Sequence, residues 1–170
     1  LAISGLVLSF AFGAGTVSTA QAADVGASVE AFTLNDVRGA TVHSTDFKDV
    51  KCLVVAFLGA ECPLAKLYGP RLQQLSKEYE SHGVKFLSIN SNQQDSIADI
   101  TAYVKEFGIE YPILKDPGQK VADLFGAVRT PEVFVISPLG VVLYRGRVDD
   151  QYIVGVQRKA AEREDLRIAL

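Results

Sequence analysis

Cys52-Leu-Val-Val-Ala-Phe-Leu58, then Gly59-Ala-Glu-Cys62, then Pro63 and a run of apolar positions at Leu64, Leu67, Tyr68, Leu72, Leu75 and Tyr79, is the stretch on which the fold turns. The first seven residues are apolar without a break, have strand length and show no polar alternation, which marks a strand buried on both faces and therefore central. After a short turn Pro63 stands where a first helical residue belongs, and the apolar positions recur at three- and four-residue steps up to Gly83, a terminal cap. Pro70 falls inside this helix and predicts a kink. A buried strand that feeds a helix through so short a turn places the Cys62 sulfur at a helix N-terminus.

Outward from that unit the chain continues as alternating elements. Val84-Lys-Phe-Leu-Ser-Ile89 predicts a second strand, and Asn90 to Asp95 a polar loop whose Asp95, or the next residue Ser96, caps a helix reaching about Phe107. Tyr111 to Leu114 reads as a short extended piece, Val121 to Phe125 as a short helix and Val133 to Ile136 as a strand. Pro138-Leu-Gly140 turns the chain into Val141 to Tyr144, which closes an antiparallel hairpin. Upstream, Phe32, Leu34, Val37, Val42 and Phe47 around Gly39 predict another short hairpin, and Gln157 to Leu170 looks helical. The fold class this gives is α/β: a central mixed β-sheet flanked by helices, with an N-terminal β-hairpin extension.

The whole chain has 170 residues, with 17 Lys+Arg against 20 Asp+Glu and a net charge of −3, so there is no basic stripe for nucleic acid or anionic lipid. At 48% hydrophobic and 22% charged residues it has the usage of a folded domain, not of a disordered chain. Leu1 to Ala23 carries no charge, opens with an apolar run to Phe12 and passes through Ala20-Gln21-Ala22, the small-x-small pattern of a signal-peptidase site. Residues 1–22 are therefore expected to be a signal peptide and residues 23–170 one domain. The destination is periplasmic or extracellular, with no stable membrane span once the signal is removed. The ending on Ile168-Ala-Leu170 without a cap leaves room for a further C-terminal segment.

Two cysteines and two histidines limit the chemistry to few groups. Free N–H groups and the helix dipole stabilise a thiolate at a helix N-terminus, which makes Cys62 the candidate nucleophile. Pro63 starts that helix, Lys66 adds positive potential, and Glu61 opposes it. Cys52 opens the strand that Cys62 follows, so on the order of 25 Å of extended chain separates them and they cannot pair. With no second cysteine near Cys62 and with His43 and His82 remote in the sequence pattern, metal binding is disfavoured, and no cofactor is implied.

These features resemble the thioredoxin-like superfamily, specifically its exported redoxins related to the AhpC/TSA and peroxiredoxin-type proteins. The matching residues are the strand Leu53 to Leu58, the turn Gly59-Ala-Glu-Cys62-Pro-Leu-Ala-Lys66, the helix proline Pro70 at the family's distance from Cys62, Thr130-Pro131 before Val133 to Ile136, and the Pro138-Leu-Gly140 hairpin. The resemblance implies a thioredoxin-like fold, Cys62 as the nucleophilic first cysteine, and Pro131 as a cis proline whose loop, with Thr130 and Arg129, meets the substrate. It implies a thiol or disulfide substrate and an external reductant as partners.

Two departures matter. Ala65 occupies the place of the second cysteine, so the usual intramolecular disulfide cannot close. Val55 and Gly59 occupy the places of the proline and the threonine or serine of the peroxiredoxin signature, which removes the groups that bind a peroxide. The expected function is a thiol-dependent oxidoreductase or antioxidant redoxin acting through a lone cysteine. The alternative is a non-catalytic thioredoxin-fold module that recognises a protein partner through the cis-proline groove.

Overall fold

The computed structural model of the chain describes residues 23–170 except residue 154, and the expected signal segment lies outside the described residues. Five strands form the working part of the sheet: β3 (Cys52–Phe57), β4 (Val84–Asn90), β5 (Ile113–Lys115), β6 (Glu132–Ile136) and β7 (Val142–Gly146). The hairpin β1 (Thr33–Asp36) and β2 (Thr41–His43) extends it, giving the order β2-β1-β5-β4-β3-β6-β7. β3 runs parallel to β4 and antiparallel to β6, so the sheet is mixed and β3 is internal.

The apolar run of β3 is explained by what covers each face. Val54, Ala56 and Leu58 point into one core, with Leu72 and Leu75 of α1 (Pro63–Glu80) and Ile100 and Tyr103 of α2 (Ile97–Glu106). Leu53, Val55 and Phe57 point into the other, with Phe125 of α3 (Lys120–Phe125), Phe134 and Phe32. There the Phe57, Phe125 and Phe134 rings meet edge to face, with centroids 5.0 to 5.7 Å apart. α1 continues unbroken through Pro70.

The predicted C-terminal helix is mostly absent. Tyr152–Ile153 (β8) and Val156–Gln157 (β9) pair as a small hairpin, and only Asp165–Ala169 (α4) is helical. Side chains from residues 149–151 account for the difference. Asp150 accepts from the backbone N–H groups of Glu162 and Arg163, and the Gln151 amide donates to the carbonyls of Arg158 and Lys159. These bonds compete with a helical ladder for the same backbone groups. Asp149 and Asp150, which their polarity alone marks as surface, are buried in consequence.

Candidate active site

The strand register brings Cys62 to residues far away in sequence. Phe57 at the end of β3 lies opposite Glu132 at the start of β6, so the turn after β3 faces the loop before β6. The turn is closed by the Cys62 N–H donating to the Gly59 carbonyl at 3.2 Å. Cys62 is the N-cap of α1, with extended backbone (φ −73°, ψ 119°), and Pro63 is the first helical residue, as expected. Lys66 N–H donates to the Cys62 carbonyl at 3.0 Å, and Pro63 has no N–H of its own. The thiol donates to the Thr130 carbonyl, with Sγ 3.3 Å from the oxygen. The Thr130-Pro131 bond is cis. Cys62, Thr130 and Pro131 thus share one small area at the end of the sheet.

Two buried carboxylates hold that area, and neither was visible as a site residue in the sequence. Asp95 lies under the turn, where its Oδ2 accepts from Ala60 N–H at 2.8 Å, from the Asn90 amide at 2.7 Å and from the Asn92 amide at 3.2 Å. Asp95 Oδ1 is buried with no partner among the described residues. The helix cap next to it is Ser96, paired reciprocally with Asp99. Lys115 ties down the same loop, donating to the Asn90 side chain and to the Asn92 and Asp95 carbonyls.

On the other side Glu132 is 1% exposed; its carboxylate accepts from Val128 N–H at 2.9 Å and from Arg145 Nε at 3.0 Å. Arg145 also donates to the Gly126 carbonyl at 2.7 Å and lies over the Phe134 ring. The loop that presents Thr130 and Pro131 is therefore braced from within, at both of its ends.

The expected tuning by Lys66 takes a different form. Its ammonium pairs with Glu61 at 3.2 Å, and both side chains are solvent-exposed. The two charges answer each other in water, where such pairs have little effect, and neither reaches the thiol by hydrogen bond. Ala65, in the place of a second cysteine, is completely buried, and Tyr103 donates to its carbonyl at 2.8 Å. That contact needs Gly69, since a Cβ there would sit 2.2 Å from the Tyr103 oxygen. Cys52 is free and buried at the far end of β3, and burial pushes its thiol up from the ordinary value.

Hollows open on both sides of Thr130. A groove of about 600 Å³ is lined by Leu64, Tyr68, Pro131, Tyr144 and Tyr152, with Arg129 at its edge. Arg129 is exposed and also borders a second, more polar cavity.

A cysteine at a helix N-cap, held against the carbonyl that precedes a cis proline, on a mixed sheet of this order, defines a thioredoxin-fold redoxin, an oxidoreductase of the thiol type. The chain belongs to the AhpC/TSA family, whose family model matches residues 25–145. It is 24% identical over 90% of its length to thiol-disulfide oxidoreductase ResA of Halalkalibacterium halodurans, covering 86% of that protein. A hypothetical protein from Sinorhizobium meliloti 1021 has a similar structure, with TM-score 0.72 and 31% identity over 78% of this chain and 75% of that one. The thioredoxin domain of a thiol-disulfide oxidoreductase from Bacteroides vulgatus shares the fold at TM-score 0.63 and 19% identity, over 72% and 87% of the two chains.

Proposed function

We propose that the chain is an exported thiol-disulfide oxidoreductase that works through Cys62 alone. The carrying observation is the Cys62 thiol at 3.3 Å from the Thr130 carbonyl, beside Pro131 and at the head of an aromatic groove, with alanine buried where a resolving cysteine would stand. In the first step the Cys62 thiolate attacks one sulfur of a substrate disulfide. The Cys62–substrate bond forms, the substrate S–S bond breaks, and the departing sulfur leaves as a thiolate that takes a proton from water. Thr130 and Pro131 pair with the substrate backbone while Leu64, Tyr68, Tyr144 and Tyr152 bury its side chains. An external thiol then completes the cycle.

Export rests on the charge-free residues 1–22 and the Ala20-Gln21-Ala22 pattern, so the mature protein starts at Ala23. No helix of the described residues is long and apolar enough to cross a membrane. The ResA name of the similar protein accords with a disulfide as substrate. Val55 and Gly59 weigh against peroxide as the preferred oxidant.

The test is turnover of a protein disulfide by the mature chain with a monothiol reductant, together with mass-spectrometric trapping of the mixed disulfide. Turnover that Cys62→Ser abolishes and Cys52→Ser preserves is the expected result. Ala65 favours one other reading, a binding module that uses the same groove without turnover. That reading gains if no mixed disulfide forms and Cys62→Ser binds a partner as tightly as the parent.

A further inference from the structure

We propose that the polar cavity on the α3 side of Thr130 is the subsite for the resolving thiol, and that this thiol is a small molecule bearing a carboxylate. The inference rests on the lone-cysteine reading above. The cavity encloses about 290 Å³ and is lined by Phe57, Asn92, Gln119, Ala122, Arg129 and Thr130. It shares Arg129 and Thr130 with the aromatic groove, so the residue whose carbonyl holds the thiol is the partition between the two. One hollow is large and aromatic, suited to a polypeptide. The other is small, suited to a compact polar molecule with few anchoring groups.

Two features of the cavity bear on its occupant. Asn92 comes up beside the cysteine only because residue 59 is glycine: a Cβ there would lie 2.3 Å from the Asn92 amide nitrogen and 3.4 Å from Cys62 Cβ. The Asn92 amide is aligned by Asp95, while its Oδ1 accepts no hydrogen bond among the described residues. Arg129 forms no ion pair and no side-chain hydrogen bond among the described residues, whereas the neighbouring arginines of the groove are both paired, Arg145 with Glu132 and Arg147 with Asp165. A guanidinium without an internal partner, on a protein of net charge −3, is a fork for a carboxylate.

The chemistry balances with two such thiols. The first, as its thiolate, attacks the Cys62 sulfur of the mixed disulfide; the bond to the substrate breaks, and the substrate leaves as a thiolate that takes up a proton. The second attacks the small-molecule sulfur now bound to Cys62 and expels the Cys62 thiolate. One substrate disulfide is reduced to two thiols, and two small thiols are oxidised to their disulfide.

The test starts from the mature chain carrying a fluorescent peptide as a mixed disulfide on Cys62. Peptide release is followed with glutathione, which has two carboxylates, and with its diethyl ester, which has none. Each rate is divided by that thiol's rate with the same peptide on free cysteine. The expected result is saturable release by glutathione, faster than by the diester by about tenfold or more, as one charge-assisted contact provides. Arg129→Gln should bring the ratio close to one, and S-methylglutathione, which cannot react, should inhibit release in the unsubstituted chain. Release linear in thiol, equal for the two reagents and insensitive to S-methylglutathione, overturns the subsite and leaves the oxidoreductase reading standing. Failure of Cys62 to form the mixed disulfide at all overturns both.

Discussion

Replacing Asp95 by alanine tests whether the active-site turn is held from below. The carboxylate is 2% exposed, and its Oδ2 takes hydrogen bonds from Ala60 N–H, the Asn90 amide and the Asn92 amide. Ala60 and Asn90 are themselves buried, so Asp95→Ala strands two donors away from water; Asn92 is half-buried and can turn to solvent. A stranded buried donor costs about 1–3 kcal/mol, so two cost roughly 2–6 kcal/mol. Water entering the space of the lost carboxylate recovers part of that, which leaves an expected loss of about 2–4 kcal/mol. Asp95→Asn keeps an acceptor oxygen in the Oδ2 position and places an amide where Oδ1 already lacks a partner, so its loss should be nearer 1 kcal/mol. Urea unfolding at neutral pH gives both values. Iodoacetamide labelling of the folded protein reports the turn, with Cys62 changing its rate and buried Cys52 remaining unlabelled. An alanine variant within about 0.5 kcal/mol of the parent, with Cys62 labelling unaltered, would show that the carboxylate does not hold the turn.

Three further substitutions or conditions give independent checks. Ala65→Cys puts a second sulfur one helical turn from Cys62 in a fully buried position; at an overpacking cost of about 1–3 kcal/mol it should form an internal disulfide on oxidation and make turnover independent of monothiol concentration, read by thiol counting and kinetics. Gly69→Ala, which at an exposed helix position gains about 1 kcal/mol, should here lose about 1–3 kcal/mol because the new Cβ meets the Tyr103 oxygen at 2.2 Å; a gain in urea unfolding would contradict that contact. Burial holds the Tyr111 hydroxyl up to about 12, and Tyr103 and Tyr68 are raised as well. Their folded-state protons are bound more tightly than in the unfolded chain, so this stability is present in full below about pH 9, where unfolded tyrosine is still protonated, and is lost as pH rises from about 10 through 12. A urea midpoint that stays level from pH 9 to 11.5 refutes it.

What could be read from the sequence was what local pattern controls. The run Cys52 to Leu58 is apolar on both faces because α1 and α2 cover one side and α3 the other, and that is the signal of an internal strand. Cys62 was recognisable as an N-cap because strand, turn, Pro63 and helix are contiguous. Thr130 and Pro131 carry no local mark of meeting a residue 68 positions earlier; that placement came from the family resemblance and is realised by the antiparallel register of β3 and β6. Asp95, Glu132 and Asp149 were unreadable for one shared reason. A carboxylate shows its burial only through its partners, and for each of these one partner lies far off, 35, 13 and 78 positions away at Ala60, Arg145 and Arg71. The same long-range ties from residues 149–151 took residues 158–164 out of the helix that their composition suggested.

Ala65 sets the terms on which Cys62 can turn over. A second cysteine one turn along the helix is held beside the mixed disulfide at an effective concentration far above that of any thiol in solution, and it resolves the intermediate within the molecule. In the lone-cysteine mechanism proposed above, release depends on encounters with free thiol, and the covalent intermediate lives until one arrives. A chain that only captured partners would need nothing more than the aromatic groove and the thiol. The second hollow, bordered by Arg129, which has no ion pair among the described residues, and by Asn92, admitted by Gly59, adds nothing that the aromatic groove would need for capture alone. Under the subsite proposed above it would serve release: a small thiol bound there would restore part of the local concentration that the missing sulfur would have supplied. The lifetime of the Cys62 mixed disulfide at fixed thiol concentration therefore separates the two accounts more directly than affinity does. A reductase built this way shortens that lifetime for carboxylate-bearing thiols, and a capture module leaves it at the value of an ordinary exposed disulfide.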